Sequence, residues 1–176
     1  MKAFEVSIYP ELDGLGSIRV LEGTWEEASY TVGGQEFSVP AGITYNIKLT
    51  NTGEAVLLEG TASAEATTQC ARCLEPATVE VEGEVQGYYL FEHVDEVEGM
   101  EADEYDFVSE QGTVDVSGPI LGALVHETPF VVLCTDDCKG LCPTCGANLN
   151  EGPCSCDDDD IDPDNPFAAL KDFKFD

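Results

Sequence analysis

Basic residues are scarce in this sequence. Seven Lys and Arg side chains stand against 36 Asp and Glu in 176 residues, giving a formal net charge of −29. Residues 1–100 hold four basic and 18 acidic side chains, and residues 101–176 hold three and 18. Nucleic-acid binding depends on Lys and Arg displacing counterions from phosphates. The composition therefore argues against direct RNA or DNA binding and favours a basic protein partner. Acidity for solubility or for a salt-rich host is the alternative interpretation.

The sequence also has few long apolar runs, and its first residues do not have the pattern expected of a signal peptide. No apolar stretch reaches the length of a transmembrane helix, and the start MKAFEVSIYPELDGLGS lacks a basic region followed by an apolar one. We therefore expect a cytoplasmic protein that does not bind a membrane. There are two histidines, His93 and His126, and neither is near a cysteine in sequence. This argues against a Cys–His catalytic pair, and we expect surface or helix-capping roles for both.

The eight cysteines are the feature that stands out. In a cytoplasmic chain, closely spaced cysteines are metal ligands more often than disulfides. Cys142-Pro-Thr-Cys145-Gly146 has the spacing of a zinc knuckle, in which Gly146 can take a positive φ. Cys154 and Cys156 follow after ANLNEGP, a segment long enough to turn back. The spacing predicts one four-thiolate site from Cys142, Cys145, Cys154 and Cys156.

The remaining four cysteines form two further pairs. Cys70 and Cys73 lie in QCARCLEP, and Cys134 and Cys138 lie just before the knuckle. Together they predict a second four-thiolate site that joins a strand end to the C-terminal segment. Cys138 and Cys142 can exchange places in this grouping, and two buried, reduced thiols are the alternative for the CARC pair. Four-thiolate sites are closed and structural, so the expected cofactor is two structural zinc ions, with iron as the alternative metal.

Alternating apolar and polar residues predict a mainly antiparallel sheet in the first 91 residues. The strand-like stretches are FEVSIYP, SIRVLEGTW, ITYNIKLT, the segment beginning VLL at Val56, and 78–91, with a Gly-Gly turn between Val32 and Gln35. Residues 92–112 are interpreted as an acidic, solvated and mobile loop.

One helix near 116–127 is predicted from apolar residues at helical spacing, namely Val116, Ile120, Leu121, Leu124 and Val125. Ser117 is the expected N-cap, Pro119 suits the first turn, and Pro129 ends the helix, after which FVVLC is expected to be extended. The prediction is an α+β fold organised as a β-rich domain (1–133), a cysteine-rich zinc-binding segment (134–156), and an acidic linker with a short terminal docking helix (157–176).

The order CARCLEP, then a helix ending at a proline, then CKGLCPTCGANLN, CSC and DPDNPFAAL, resembles the YceD family. The resemblance runs from about Gly53 to Phe173. It implies a part in the synthesis, processing or stability of 23S rRNA, without catalytic residues or a small-molecule substrate. Because the chain is so acidic, contact with the RNA is expected to be indirect, through a basic ribosomal protein or an RNA-processing protein. The alternative function is a thiol-based redox or metal-handling protein.

Overall fold

The computed structural model describes residues 3–26, 29–92, 94, 100–101 and 104–156. In these residues the chain forms nine strands and one helix in the order β1–β9 and α1. The elements are β1 Glu5–Ser7, β2 Ile18–Trp25, β3 Ser29–Val32, β4 Gln35–Ser38, β5 Ile43–Asn51, β6 Ala55–Gln69, β7 Pro76–Leu90, β8 Asp106–Phe107, β9 Thr113–Asp115 and α1 Ser117–Glu127. The prediction of a mainly antiparallel sheet with one packed helix is confirmed.

The main sheet is built around the long hairpin of β6 and β7, whose register runs without a break from Ala55↔Leu90 to Gln69↔Pro76. On its other side, β6 pairs first with β5, which pairs with β2. Further along, β6 touches β4 through the single pair Ser38↔Thr67. The turn between β3 and β4 contains only Gly33 and Gly34, both at positive φ, as the Gly-Gly signal predicts.

The helix α1 covers the inner face of β7. A Cβ atom at Gly83 would lie 2.3 Å from the carbonyl oxygen of Ala123, so only glycine lets the helix approach this closely. The alternating inward residues of the strands and one side of α1 form a continuous core. Its largest fully buried members include Ile8, Leu12, Phe37, Ile43, Ile47, Leu49, Leu58, Tyr89, Ile120 and Leu124.

Several local predictions need correction. Val116, not Ser117, is the N-cap, and no side chain of the cap residue bonds to the helix. Instead, Asp115 accepts hydrogen bonds at Oδ1 from the N–H groups of Ser117 (2.9 Å) and Phe4 (3.1 Å). The second of these bonds joins the start of α1 to the distant N-terminal segment. Of the predicted apolar stripe, Val125 is partly exposed, whereas the other four residues are buried.

The N-terminal strand and the acidic loop also differ from expectation. β1 is not part of the main sheet but pairs with β9 in a separate two-stranded sheet, with Val6 opposite Val114. Residues 92–112 are not entirely loop, because β8 pairs in parallel with the end of β7. The predicted acidic linker and terminal helix within 157–176, and His93, lie outside the described residues.

Candidate metal centres

The first CxxC pair lies in the six-residue connection between β6 and β7. The N–H of Leu74 donates to the carbonyl of Cys70 (3.0 Å), and the N–H of Cys70 donates to the carbonyl of Glu75 (2.8 Å). Leu74 has a φ of 64°, in the left-handed region. This tight turn brings Cys70 and Cys73 to the inner side of the hairpin tip, where both are buried.

The second CxxC pair uses the same turn. The N–H of Gly146 donates to the carbonyl of Cys142 (2.9 Å), and the N–H of Cys142 donates to the carbonyl of Ala147 (2.8 Å). Gly146 has a φ of 73°, matching the expected role of this glycine. The two CxxC turns are therefore equivalent in backbone hydrogen bonding, and they differ in the residue at the left-handed position.

Four sulfurs converge at the hairpin tip, in a group that we call the hairpin cluster. It consists of Cys70, Cys73, Cys134 and Cys138. Cys70 Sγ lies 3.7 Å from Cys138 Sγ, and Cys73 Sγ lies 3.5 Å from Cys134 Sγ. A tetrahedral ion with metal–sulfur bonds of about 2.3 Å needs sulfurs about 3.8 Å apart, so these spacings suit one ion. The cluster forms because the segment after Pro129 runs beside the tip, where Ala71 N–H donates to Val132.

The remaining sulfurs form a second group, the knuckle cluster. It consists of Cys142, Cys145, Cys154 and Cys156. Cys154 Sγ lies 3.4 Å from Cys142 Sγ, again within the range for ligands of one ion. This cluster is nearer the surface, with Cys142 buried, Cys145 exposed and the other two intermediate. The structure thus brings the eight cysteines together in the same two groups of four that the spacing predicts, with Cys138 in the hairpin cluster and Cys142 in the knuckle cluster.

The backbone stabilises one thiolate in each CxxC pair. Burial by itself raises the pKa of the Cys70 thiol. Hydrogen bonds from the backbone N–H groups of Cys73 and Arg72 outweigh this effect, and the pKa is lowered to about 6. The N–H groups of Cys145 and Thr144 likewise lower the pKa of Cys142 to about 6. These amides point at the sulfurs as they do in thiolate sites that hold a metal.

A second thiol in each cluster resists ionisation, Cys73 in the hairpin cluster and Cys156 in the knuckle cluster. The backbone N–H of Glu75 lowers the pKa of Cys73, but burial and the neighbouring sulfurs raise it to about 12. Proximity to Cys145, followed by burial, raises the pKa of Cys156 to about 12. Four thiols crowded together cannot all lose their protons unless a cation offsets the charge. A divalent ion in each cluster would supply that charge, so the donor set fits a metal ion such as zinc.

The two clusters are connected by groups around Cys138. Asn150, in the knuckle loop, donates from Nδ2 to Cys138 Sγ (3.4 Å) and accepts at Oδ1 from the N–H of Lys139 (2.8 Å). The bond from Asn150 is the main reason why the pKa of Cys138 is lowered. Arg72, in the hairpin turn, donates from Nη1 to the carbonyl of Cys138 (2.8 Å). The loop that holds one candidate ion therefore positions a ligand of the other.

Sequence reasoning did not find this role of Asn150. The available signal was an amide side chain in a short loop between two ligand pairs. Its partner, Cys138, belongs to the other cluster, and sequence spacing does not reveal a contact between clusters. His126 is highly exposed, and its Nε2 lies 4.0 Å from Glu127 Oε1, in agreement with the predicted surface position. In the part of the chain that the structure describes, no helix is both long and apolar enough to cross a membrane.

Comparison with known proteins identifies the family. The family model described as "Large ribosomal RNA subunit accumulation protein YceD" matches residues 58–174. The chain belongs to the YceD family. The match covers most of β6, all of β7 and α1, and both cysteine clusters, whereas β1–β5 lie before it.

Among individual relatives, an uncharacterized protein of Mycobacterium tuberculosis is 34% identical over 108 residues, covering 61% of this chain and 52% of that protein. An uncharacterized protein of Mycobacterium leprae is 31% identical over 109 residues, covering 62% and 50%. A chloroplastic YCED homolog 1 of Arabidopsis thaliana is 37% identical over 54 residues, covering 31% and 17%. The chain therefore spans about half the length of the mycobacterial relatives it matches. No solved structure matches the chain.

Proposed function

We propose that this protein supports the accumulation of the 23S rRNA of the large ribosomal subunit as a non-enzymatic factor in the cytoplasm. The observation that carries the proposal is the match of the YceD family model to residues 58–174. The two cysteine clusters fit this role as structural sites, because four thiolates around one ion leave no open position for a substrate.

The partner that we propose is a basic protein, either a ribosomal protein or an RNA-processing protein. The outward face of β6 and β7 supports this choice, since Glu65 and Glu80 stand directly opposite each other and Glu82 and Glu84 continue the same row. Like charges in such cross-strand positions destabilise a sheet. The ion pairs found among the described residues are Arg19–Glu11, Lys48–Glu59 and His126–Glu127, and none of them neutralises this row.

The proposed function is tested in cells of the source organism that lack this chain. We expect the ratio of 23S to 16S rRNA to fall and to recover when the wild-type chain is restored. Purified chain should also retain a basic protein of the large subunit or of RNA processing at low salt and release it at high salt, because the attraction is electrostatic. An unchanged rRNA ratio would refute the function, and retention of RNA without protein would refute the choice of partner.

A thiol-based redox or metal-handling function is the second candidate. Cys145 is exposed, and its neighbour Cys142 has a pKa lowered to about 6, a combination that favours reactive thiols. Alkylation of the metal-loaded protein distinguishes the two functions. Structural sites predict a zinc content near two ions per chain and slow alkylation, whereas the alternative predicts rapid alkylation without metal loss.

A further inference from the structure

The hairpin tip carries a leucine where the equivalent turn has a glycine. Leu74 occupies the left-handed position of the first CxxC turn, with a φ of 64°, and Gly146 occupies it in the second, with a φ of 73°. Leu74 is the only residue other than glycine with a positive φ among those the structure describes. A side chain in this conformation is strained. Leu74 does not relieve the strain by packing, because its side chain is 59% exposed.

Two more apolar side chains are exposed beside this tip. Phe130 is 81% exposed and Val131 is 64% exposed. They precede Val132, whose carbonyl accepts a hydrogen bond from the N–H of Ala71 in the hairpin turn (2.9 Å), so the two segments lie side by side. We call Leu74, Phe130 and Val131 the tip patch.

A groove of about 810 Å³ lies next to the tip patch. Its walls are the β3–β4 turn, the end of β6 and the hairpin turn, including Leu74. Phe130 stands at one side of it, because its ring lies 3.8 Å from the position of a Cβ on Gly33. The groove exists because β4 and β6 separate after the pair Ser38↔Thr67, and the side chain of Gln35 spans the gap to Thr68 and Gln69.

The surroundings of the patch are acidic. Glu36 lines the groove, Glu75 follows Leu74, and Asp136 and Asp137 occupy the turn between two ligands of the hairpin cluster; all four are exposed. The nearby cations are Arg72, which donates to the carbonyl of Cys138, and Lys139. The patch thus combines exposed apolar side chains with a net negative rim.

We infer that the tip patch and its groove dock a basic polypeptide segment whose apolar side chain contacts Leu74 and Phe130. This inference rests on the proposed function, and it assigns the surface that the basic partner uses. Charge complementarity selects this occupant, because a Lys- and Arg-rich segment is attracted by the four carboxylates while its apolar residue covers the patch. The hairpin cluster fixes the conformation of the tip, since two of its ligands lie in the same turn as Leu74.

The first test uses short fluorescent peptides and the full chain loaded with zinc. One peptide carries several lysines around two leucines, and the control peptide has serines in place of the leucines. We expect the leucine peptide to bind the double variant Leu74→Gly, Phe130→Ser about ten-fold more weakly than wild type, because burial of an apolar side chain contributes binding energy of this order. The serine peptide should bind both proteins equally. Equal binding of the leucine peptide to both proteins would overturn the inference.

A matched control comes from another part of the surface. Leu15 is 80% exposed and Val20 is 61% exposed, and both belong to the region of β2, away from the hairpin tip. The variant Leu15→Ser, Val20→Ser removes a similar exposed apolar area. It should bind the leucine peptide as wild type does, and a loss equal to that of the tip variant would show that the tip patch is not specific, which would also overturn the inference.

The occupant is tested in cells with a photoreactive benzophenone amino acid at position 131. A crosslink to a basic protein, identified by mass spectrometry, supports the inference if the tip variant abolishes it. A crosslink to a second copy of this chain, or to residues 157–176 of the same chain, overturns it. Complementation separates the two proposals. If the tip variant restores 23S rRNA as well as wild type does, the docking surface is wrong and the function stands; if wild type itself does not restore it, the function is wrong.

Discussion

The hairpin cluster should contribute more to stability than the knuckle cluster, and two serine variants test this. Cys73→Ser removes a buried ligand of the hairpin cluster, and Cys145→Ser removes an exposed ligand of the knuckle cluster. Each variant should lose about one metal ion per chain and retain the other. The two variants differ in the length of the chain loop that the lost ion would have closed.

The size of the difference follows from loop closure. Cys73 and Cys134 are 61 positions apart, whereas Cys142 and Cys154 are 12 apart. If a four-thiolate ion restricts the unfolded chain as a disulfide does, the closures contribute about 4.3 and about 2.8 kcal/mol. The difference of about 1.5 kcal/mol corresponds to a melting temperature about 3–6 °C lower for Cys73→Ser than for Cys145→Ser.

The assay combines metal analysis by mass spectrometry with calorimetric unfolding at equal zinc concentration. The control repeats both variants after the metal has been removed with a chelator, because a difference caused by loop closure should then largely disappear. Equal melting temperatures in zinc would contradict the reasoning. So would a difference that persists without metal, because that result would show that the packing of Cys73 is responsible.

Three further predictions concern single residues. Asn150→Ala should weaken zinc binding at the hairpin cluster by about ten- to a hundred-fold, because it removes the N–H···S bond to Cys138. Competition with a chromophoric chelator measures the zinc affinity, and an unchanged affinity would contradict the link between the clusters. Gly146→Ala should destabilise the knuckle by about 1–2 kcal/mol, because it places a side chain at a positive φ. Leu74→Gly, at the equivalent position, should not lower the melting temperature. Equal losses of stability in the two variants would contradict the strain at Leu74. Asp115→Asn keeps an acceptor oxygen but removes the negative charge at the start of α1, so it should lower stability at pH 7 by about 0.3–1 kcal/mol. Partial burial raises the pKa of Asp115, but the hydrogen bonds from Ser117 and Phe4 outweigh burial, and the pKa is lowered. The stabilisation by the Asp115 carboxylate is therefore present above the unfolded pKa of about 3.9 and is lost as the pH falls below it. Denaturant titrations at several pH values should show the variant and wild type converging in acid, and a constant difference would contradict the assignment.

Much of the fold was predictable because its signals are local. Alternating residues with a Gly-Gly turn specify the β3–β4 hairpin, and apolar residues at helical spacing before Pro129 specify α1. The pairing of β1 with β9 was not predictable, since short strands more than 100 residues apart carry no sequence signal for each other. The same reason applies to the hydrogen bond that Asp115 accepts from the N–H of Phe4.

By itself, the sequence determined the acidity, the two CxxC turns and the resemblance to YceD proteins, because each depends on residue type and short spacing. The spacing also predicted the two groups of four cysteines but left Cys138 and Cys142 exchangeable, and only the tertiary structure decided between them. Cys138 and Cys142 are only four residues apart. Arg72 and Asn150 hold the first at the hairpin tip, and the turn of Gly146 places the second with Cys154. The tip patch was likewise hidden, because the exposure of Leu74 and Phe130 depends on how the segment after α1 returns to the end of the long hairpin.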